Sequence, residues 1–163
     1  MQWATGFYDQ QGMPRLRLHI AGGWSDSAGL KGLEFDAVIN SSFTGFLSVP
    51  MVRSFPLRLS LTGATTLELP DGSNRNALTA WAHVAVGARR RWGNVVLDPA
   101  GQDVVAGREF LEIFEAALVL TGDEVLFFED SPGWLEQLGD FQPPFRVQES
   151  DEEHQVEQPG EIT

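Results

Sequence analysis

From Pro14 to Ala21 the chain alternates without a break, with Leu16, Leu18 and Ile20 on one face and Arg15, Arg17 and His19 on the other. A two-residue period marks a half-buried strand, because successive side chains point to opposite sides. The pattern recurs at Glu34 to Ile39, where Phe35, Ala37 and Ile39 alternate against Glu34, Asp36 and Val38, and again at Leu57 to Leu61. Phe46 to Val49 is a short apolar run stopped by Pro50. Thr65 to Leu69 and Ala77 to Val86 flank Asp71-Gly72-Ser73-Asn74. Asp-Gly tolerates the positive φ of a tight turn, so this stretch predicts a β-hairpin. Asn94 to Leu97 predicts a further strand, and Leu118 to Leu120 with Val125 to Phe128 a second hairpin around Thr121-Gly122-Asp123.

Helical signals occur twice. Arg108 to Ala116 places Phe110, Leu111 and Phe114 at helical spacing. Ser131 to Leu138 offers Ser131 as N-cap, Pro132 at the first helical position and Gly139 as the stop. Ala21 to Gly32 reads as a Gly/Ser-rich loop. After Phe141 the chain is Pro-rich and then acidic, with too little apolar surface to offset its ordering entropy. The expected outline is all-β (mostly β): a domain over residues 1–130 with one short helix near its C-terminal end, a second short helix over 131–140, and a disordered acidic tail over 141–163.

Charge sharpens this outline. The net charge is −12, and residues 140–163 hold seven acids against the single base Arg146, so half of the net charge lies there. No basic footprint is present to neutralise phosphates, which argues against nucleic-acid binding. The one basic run, Arg89-Arg90-Arg91, follows Gly87 and reads as a solvated turn. With no cysteine, disulfide and thiolate chemistry are excluded. Neither a basic and apolar leader segment nor a membrane-length apolar run is visible, so a cytoplasmic protein without a membrane partner is expected. His19, His83 and His154 lie far apart without ligand spacing, and no metal or other cofactor is expected. Fingerprints for phosphate, dinucleotide or serine-nucleophile chemistry are also lacking.

One segment carries a sharper signal. Residues 34–50 run as a strand, then Asn40-Ser41-Ser42, then Phe43-Thr44-Gly45-Phe46-Leu47, and end in Pro50. A tight polar turn is the plain reading. The arrangement also resembles the active-site turn of the retroviral-like (retropepsin-like) aspartic proteases, and in particular their small bacterial type. There a buried strand presents an Asp-Thr/Ser-Gly triplet, followed by an aromatic, Ser/Thr, Gly and an apolar stretch. Val104-Val105-Ala106-Gly107-Arg108 is similar to the apolar-apolar-Gly segment that leads into the family's helix and packs across the active-site strand. Between the two, the hairpin at Asp71-Gly72-Ser73 falls where the family places its flap. The resemblance spans about Gly6 to Glu129 and implies a retropepsin-like acid-protease barrel half.

What the resemblance implies for function depends on the triplet. In the family, two subunits each supply one aspartate, and the two carboxylates share a proton, one serving as base toward water and the other as acid toward the peptide. Here Asn40 occupies that position, and an amide cannot trade the proton. Ser41 keeps the hydroxyl that braces the turn across the dimer, while Ser42 replaces the glycine. By the same resemblance, Thr44, Gly45 and the flap residues Asp71, Gly72 and Ser73 face the substrate, and Gly107 and Arg108 are structural. Asp36, on the face of Asn40 but about 12 Å along the strand, reads as a surface residue, and Asp98 and Asp103 as loop residues. Deamidation of Asn40-Ser41 would restore an acid to the triplet.

Three readings of the chain result. The first is a catalytically silent homodimer that keeps a cleft for a peptide or unfolded polypeptide segment. The second is an active aspartic endopeptidase, and the third an unrelated β interaction module. For the dimer contact, the resemblance implies interleaved terminal strands, and Val125 to Phe128 reads as a contributing edge, as core, or as both.

Overall fold

The computed structural model describes residues 1–22, 32–69 and 71–130. The second helix expected at 131–140 and the tail expected at 141–163 lie outside the described residues, as does most of the Gly/Ser-rich stretch. Eleven strands form among the described residues: β1 (Gln2–Thr5), β2 (Phe7–Tyr8), β3 (Pro14–Gly22), β4 (Gly32–Ile39), β5 (Leu47–Pro50), β6 (Ser60–Glu68), β7 (Asn74–Val86), β8 (Arg89–Asp98), β9 (Val105–Ala106), β10 (Ala116–Leu120) and β11 (Val125–Glu129). Two helices, α1 (Met51–Ser54) and α2 (Arg108–Ile113), accompany them.

Eight strands lie in the order β2-β3-β4-β9-β5-β8-β7-β6, and β3 also pairs with β7. That extra pairing, from His19↔Ala85 to Gly22↔Ala82, closes β3, β4, β9, β5, β8 and β7 into a ring. The alternating apolar faces read from the sequence turn inward. Leu16, Leu18, Ile20, Phe35, Ala37 and Ile39 are all buried, joined by Leu47, Val49, Val84 and Val95. Each large apolar side chain so buried contributes about 1.5–3 kcal/mol relative to exposure. Val38 departs from the alternation: it is buried too, because β9 pairs alongside it through Val38↔Val105.

Three further expectations are corrected. The alternation at Leu57 to Leu61 is not one strand. Phe55–Leu57 is a 3-10 turn with proline near its start, and Arg58, at φ 54°, redirects the chain before β6 begins at Ser60. Pro50 ends β5 as expected, and α1 starts at the next residue. The helix expected over Arg108 to Ala116 ends at Ile113. Glu115 takes φ 54° there, which turns Ala116 into β10 opposite Glu129. Finally, Arg89-Arg90-Arg91 is the start of β8 rather than a solvated turn, and the reversal is made one step earlier at Gly87, with φ 58°. Arg89 lies 4.3 Å over the Trp3 ring and 3.4 Å from Glu129, and Arg91 covers Phe114 and donates to the Ile113 carbonyl at 3.1 Å. The aliphatic stems and planar heads of these arginines thus roof an aromatic cluster.

The remaining strands form a sheet in the order β1-β11-β10. β11 is its central strand, hydrogen-bonded on both sides, and Val125, Leu126, Phe127 and Phe128 are all buried. Of the two readings of Val125 to Phe128, the structure supports core and not a free edge: the open edges of this sheet belong to β1 and β10.

Two features of the barrel give measurable consequences. Arg75, early in β7, makes a two-pronged bond to Asp98 at the end of β8, with Nε–Oδ1 at 2.9 Å and Nη2–Oδ2 at 3.0 Å. Asp98 is only 8% exposed and also accepts from the Ala100 N–H. Asp98→Ala strands these donors and is expected to cost about 1–3 kcal/mol in thermal melts. His83, buried in β7, sits edge-on to Trp92 with ring centroids 5.0 Å apart. Burial, aided by Arg90 and His19, pushes its imidazole below the ordinary value of 6.5. The folded chain thus holds His83 neutral where the unfolded chain would protonate it. Its contribution to stability is complete above about pH 6.5 and is lost as pH falls through the folded pKa. Unfolding midpoints should decline from pH 7.5 to 5, and His83→Gln should flatten that decline.

Candidate active site

β4 delivers the chain to Asn40, the turn runs through Gly45, and β5 carries it away. β9 inserts between the two strands, parallel to β4 (Val38↔Val105, Ile39↔Ala106) and antiparallel to β5 (Leu47↔Ala106, Ser48↔Val105). The chain then enters α2, whose start has no side-chain cap. Its orphan amides are satisfied by the turn itself. The Gly107 N–H donates to the Phe46 carbonyl at 3.1 Å, Arg108 N–H to Phe43 at 2.8 Å, and Glu109 N–H to Gly45 at 3.2 Å. Helix start and turn therefore fix one another.

Gly107 makes this approach possible. A Cβ there would lie 2.3 Å from the Phe43 carbonyl oxygen and 2.5 Å from that of Gly45, both backbone atoms. Gly45 is tight as well, but against the Phe43 ring. Behind the turn, Phe46, Phe110 and Phe114 form one buried aromatic cluster, with Phe110 and Phe114 centroids 4.6 Å apart. Trp3 stacks on Phe114 at 6.0 Å, which ties the terminal sheet to the same support.

Asn40 stands exposed at the head of the turn. Its N–H donates to the Ala106 carbonyl at 2.9 Å, and its carbonyl accepts from Phe43 N–H at 3.1 Å. The side-chain Oδ1 accepts twice from Ser42, from N–H at 3.1 Å and from Oγ at 2.6 Å. Ser41, Ser42 and Thr44 are exposed. The structure thus brings Asn40, Ser41, Ser42, Thr44, Gly45, Gly107 and Arg108 into one constellation. The signal the sequence hid was the role of Glu109, whose backbone amide rather than side chain completes it.

Asp71, Gly72 and Ser73 occupy the tip between β6 and β7, with Gly72 at φ 88°. No hydrogen bond joins this tip to the Asn40 turn among the described residues. The tip repeats the chemistry of the Asn40 turn: Asp71 Oδ1 accepts from Ser73 N–H at 2.9 Å and Ser73 Oγ at 2.6 Å. The Ser73 hydroxyl and then its amide hold the Asp71 carboxyl below the usual carboxylate range. Asp36 serves as the partner of Arg17, with Nε–Oδ1 at 2.9 Å, in keeping with a surface role. Asp103 lies 3.4 Å from Arg15. Two hollows on the surface, of about 240 Å³ beside α1 and about 570 Å³ beside β1, are lined by other residues than Asn40. Among the described residues no helix is long and apolar enough to cross a membrane, and no group of three or more His, Asp or Glu residues is placed to hold a metal ion.

No family model and no curated protein sequence matches the chain. Solved structures do. EIAV protease in complex with the inhibitor HBY-793 superposes with a TM-score of 0.52 at 13% identity, over 69% of this chain and 98% of that one. A retropepsin-like aspartic protease from Rickettsia conorii gives 0.53 at 10% identity, over 76% of this chain and 87% of that one. At such identities the likeness speaks to the backbone and not to the chemistry. The chain has the retropepsin-like aspartic protease fold.

Proposed function

We propose that this protein is a catalytically silent retropepsin-like protein that pairs with a second copy and holds an extended peptide in the groove between them. The observation that carries the reading is Asn40: an exposed carboxamide at the head of the strand-turn-strand unit that β9 and α2 brace from behind. In an acid protease of this architecture that position needs a group able to accept and return a proton, and an amide does neither at working pH. Loss of a positioned acid/base costs about 10²–10⁴ in rate, and a symmetric pair would lose both partners at once. The exposure of Asn40, Ser41 and Ser42 fits a half-site that a second copy completes. The braced turn supplies a rigid floor for an extended peptide, and in this proposal the β6–β7 hairpin is the element that covers it.

The absence of cysteine makes the pairing directly testable. Ser41→Cys introduces a single thiol beside the proposed two-fold axis. A spin label attached there should report a label-to-label distance within about 20 Å in a species that sediments as a dimer, allowing for two flexible label arms of several bond lengths each. A monomer at working concentration, or labels too far apart to couple, would rule out the shared groove. A second reading, an active endopeptidase, is favoured by the intact brace of the turn. Cleavage of an unfolded polypeptide by the wild-type chain, blocked by a pepstatin-type inhibitor, would separate it from the first.

A further inference from the structure

We infer that Asn40 is a self-modification site, whose side chain cyclises onto the Ser41 backbone nitrogen and hydrolyses to aspartate. Three observations place the reacting groups. The Ser41 N–H has no hydrogen-bond partner among the described residues, so the nucleophile is free. The Asn40 Oδ1 accepts from both Ser42 N–H and Ser42 Oγ, at 3.1 and 2.6 Å. These two donors polarise the carboxamide and face the oxygen on which negative charge develops, as donors in an oxyanion hole do. The ring closed by the Ser42 N–H to Oδ1 bond contains both Asn40 Cγ and the Ser41 nitrogen, and Asn40 is exposed to the water that opens the succinimide.

The chemistry balances with water as the only co-reactant. Ser41 N, having lost its proton to solvent base, attacks Asn40 Cγ and forms a five-membered succinimide. The Cγ–Nδ2 bond breaks, and Nδ2 takes up a proton and leaves as ammonia. Water then opens the ring. Attack at Cγ gives aspartate, and attack at the backbone carbonyl gives isoaspartate. The net change is Asn plus water to Asp plus ammonia, with no oxidant or reductant. Bonds from Asn40 N–H to Ala106 and from Phe43 N–H to the Asn40 carbonyl hold the backbone on either side of the reacting pair. Oδ1 accepts from two donors and the backbone carbonyl from one, so Cγ is the more activated carbon and opening is directed toward aspartate. The consequence for catalysis rests on position 40 being the silenced acid position; the modification itself does not.

The test is mass spectrometric and independent of any peptidase activity. The folded chain is incubated at pH 8 beside the same chain in urea, and peptides containing Asn40, Asn76 and Asn94 are followed for the mass gain and for isoaspartate. The expected result is conversion at Asn40 faster in the folded chain than in urea, faster than at Asn76 or Asn94, and mainly to aspartate. Ser42→Ala, which removes one donor at an exposed position, should slow it roughly 2- to 10-fold, the worth of one ordinary hydrogen bond. Ser41→Pro should abolish it, because proline has no N–H to lose, and its position second in the four-residue turn from Asn40 to Phe43 is one proline favours. Protection of Asn40 by folding, or a rate indifferent to Ser42→Ala, would overturn the inference.

Discussion

Replacing Asn40 by aspartate together with Ser42 by glycine is expected to yield a chain that cuts unfolded polypeptide at acid pH, at least about 10²–10⁴ faster than the parent. The two substitutions act on different parts of the same problem. Asn40→Asp supplies the titratable group. In the parent turn that group would still accept from Ser42 N–H and Ser42 Oγ, at the distances now seen for the amide. The chain contains its own control for the effect of such donors. At Asp71 the same pair of bonds, from Ser73, draws the carboxyl below its usual range. Donors to a carboxylate favour its charged form, whereas a working pair must keep one proton between two acids. Asn40→Asp alone should therefore be weak, with both carboxylates drawn toward ionisation. Ser42→Gly removes the hydroxyl and relaxes that bias. The order of activity should be double variant, then Asn40→Asp, then parent, with a pepstatin-type inhibitor abolishing the first two. A folded, dimeric double variant that stays inert would count against position 40 as the site.

A large loss of stability is expected from Gly107→Ala. The added Cβ would meet the carbonyl oxygens of Phe43 and Gly45 at 2.3 and 2.5 Å, and neither is a flexible side-chain end that can swing aside. To make room, the turn must part from the start of α2. That motion stretches the bonds from Gly107, Arg108 and Glu109 N–H that hold the two together. Overpacking of this kind costs about 1–3 kcal/mol before the bonds are counted, and each kcal/mol lowers Tm by roughly 3–6 °C in a domain of this size. Gly122→Ala serves as the control, since a Cβ there meets nothing within 4 Å and the backbone is not in the left-handed region. Thermal melts of both variants decide it, and equal stability would mean that the turn is not braced as described. In the Asn40→Asp, Ser42→Gly background, Gly107→Ala should also lower cleavage, because the same shift displaces residue 40.

Much of this architecture could be read from period alone. The inward faces of Leu16, Leu18, Ile20, Phe35, Ala37 and Ile39, and both hairpins, follow from two-residue alternation and turn chemistry. Most of the failures share a cause: long-range packing overrode local pattern. Arg89 and Arg91 look like a solvated run until Trp3 on β1 and Phe114 at the end of α2 are brought beneath them. Val38 reads as outward-facing until β9 is laid beside it. Phe55 to Leu57 needed proline and a left-handed Arg58 to be recognised as a turn. Val125 to Phe128 is apolar for the reason a central strand is, not the reason a sticky edge is. At the candidate site, the residues Asn40 to Gly45 and Gly107 were visible as a motif, but what binds them was not. Those contacts are backbone amides meeting backbone carbonyls, and apart from the missing side chain of Gly107 residue identity carries no trace of them.

The proposed silence of the site rests on an amide doing no acid–base work at position 40, and purified wild-type protein tests this most directly. Freshly prepared chain, shown by mass to carry intact Asn40, is incubated with an unfolded polypeptide at pH 4, 5.5 and 7, with and without a pepstatin-type inhibitor. No inhibitor-sensitive fragments should appear at any of these pH values. Fragments that appear with intact Asn40 and vanish with the inhibitor would contradict it.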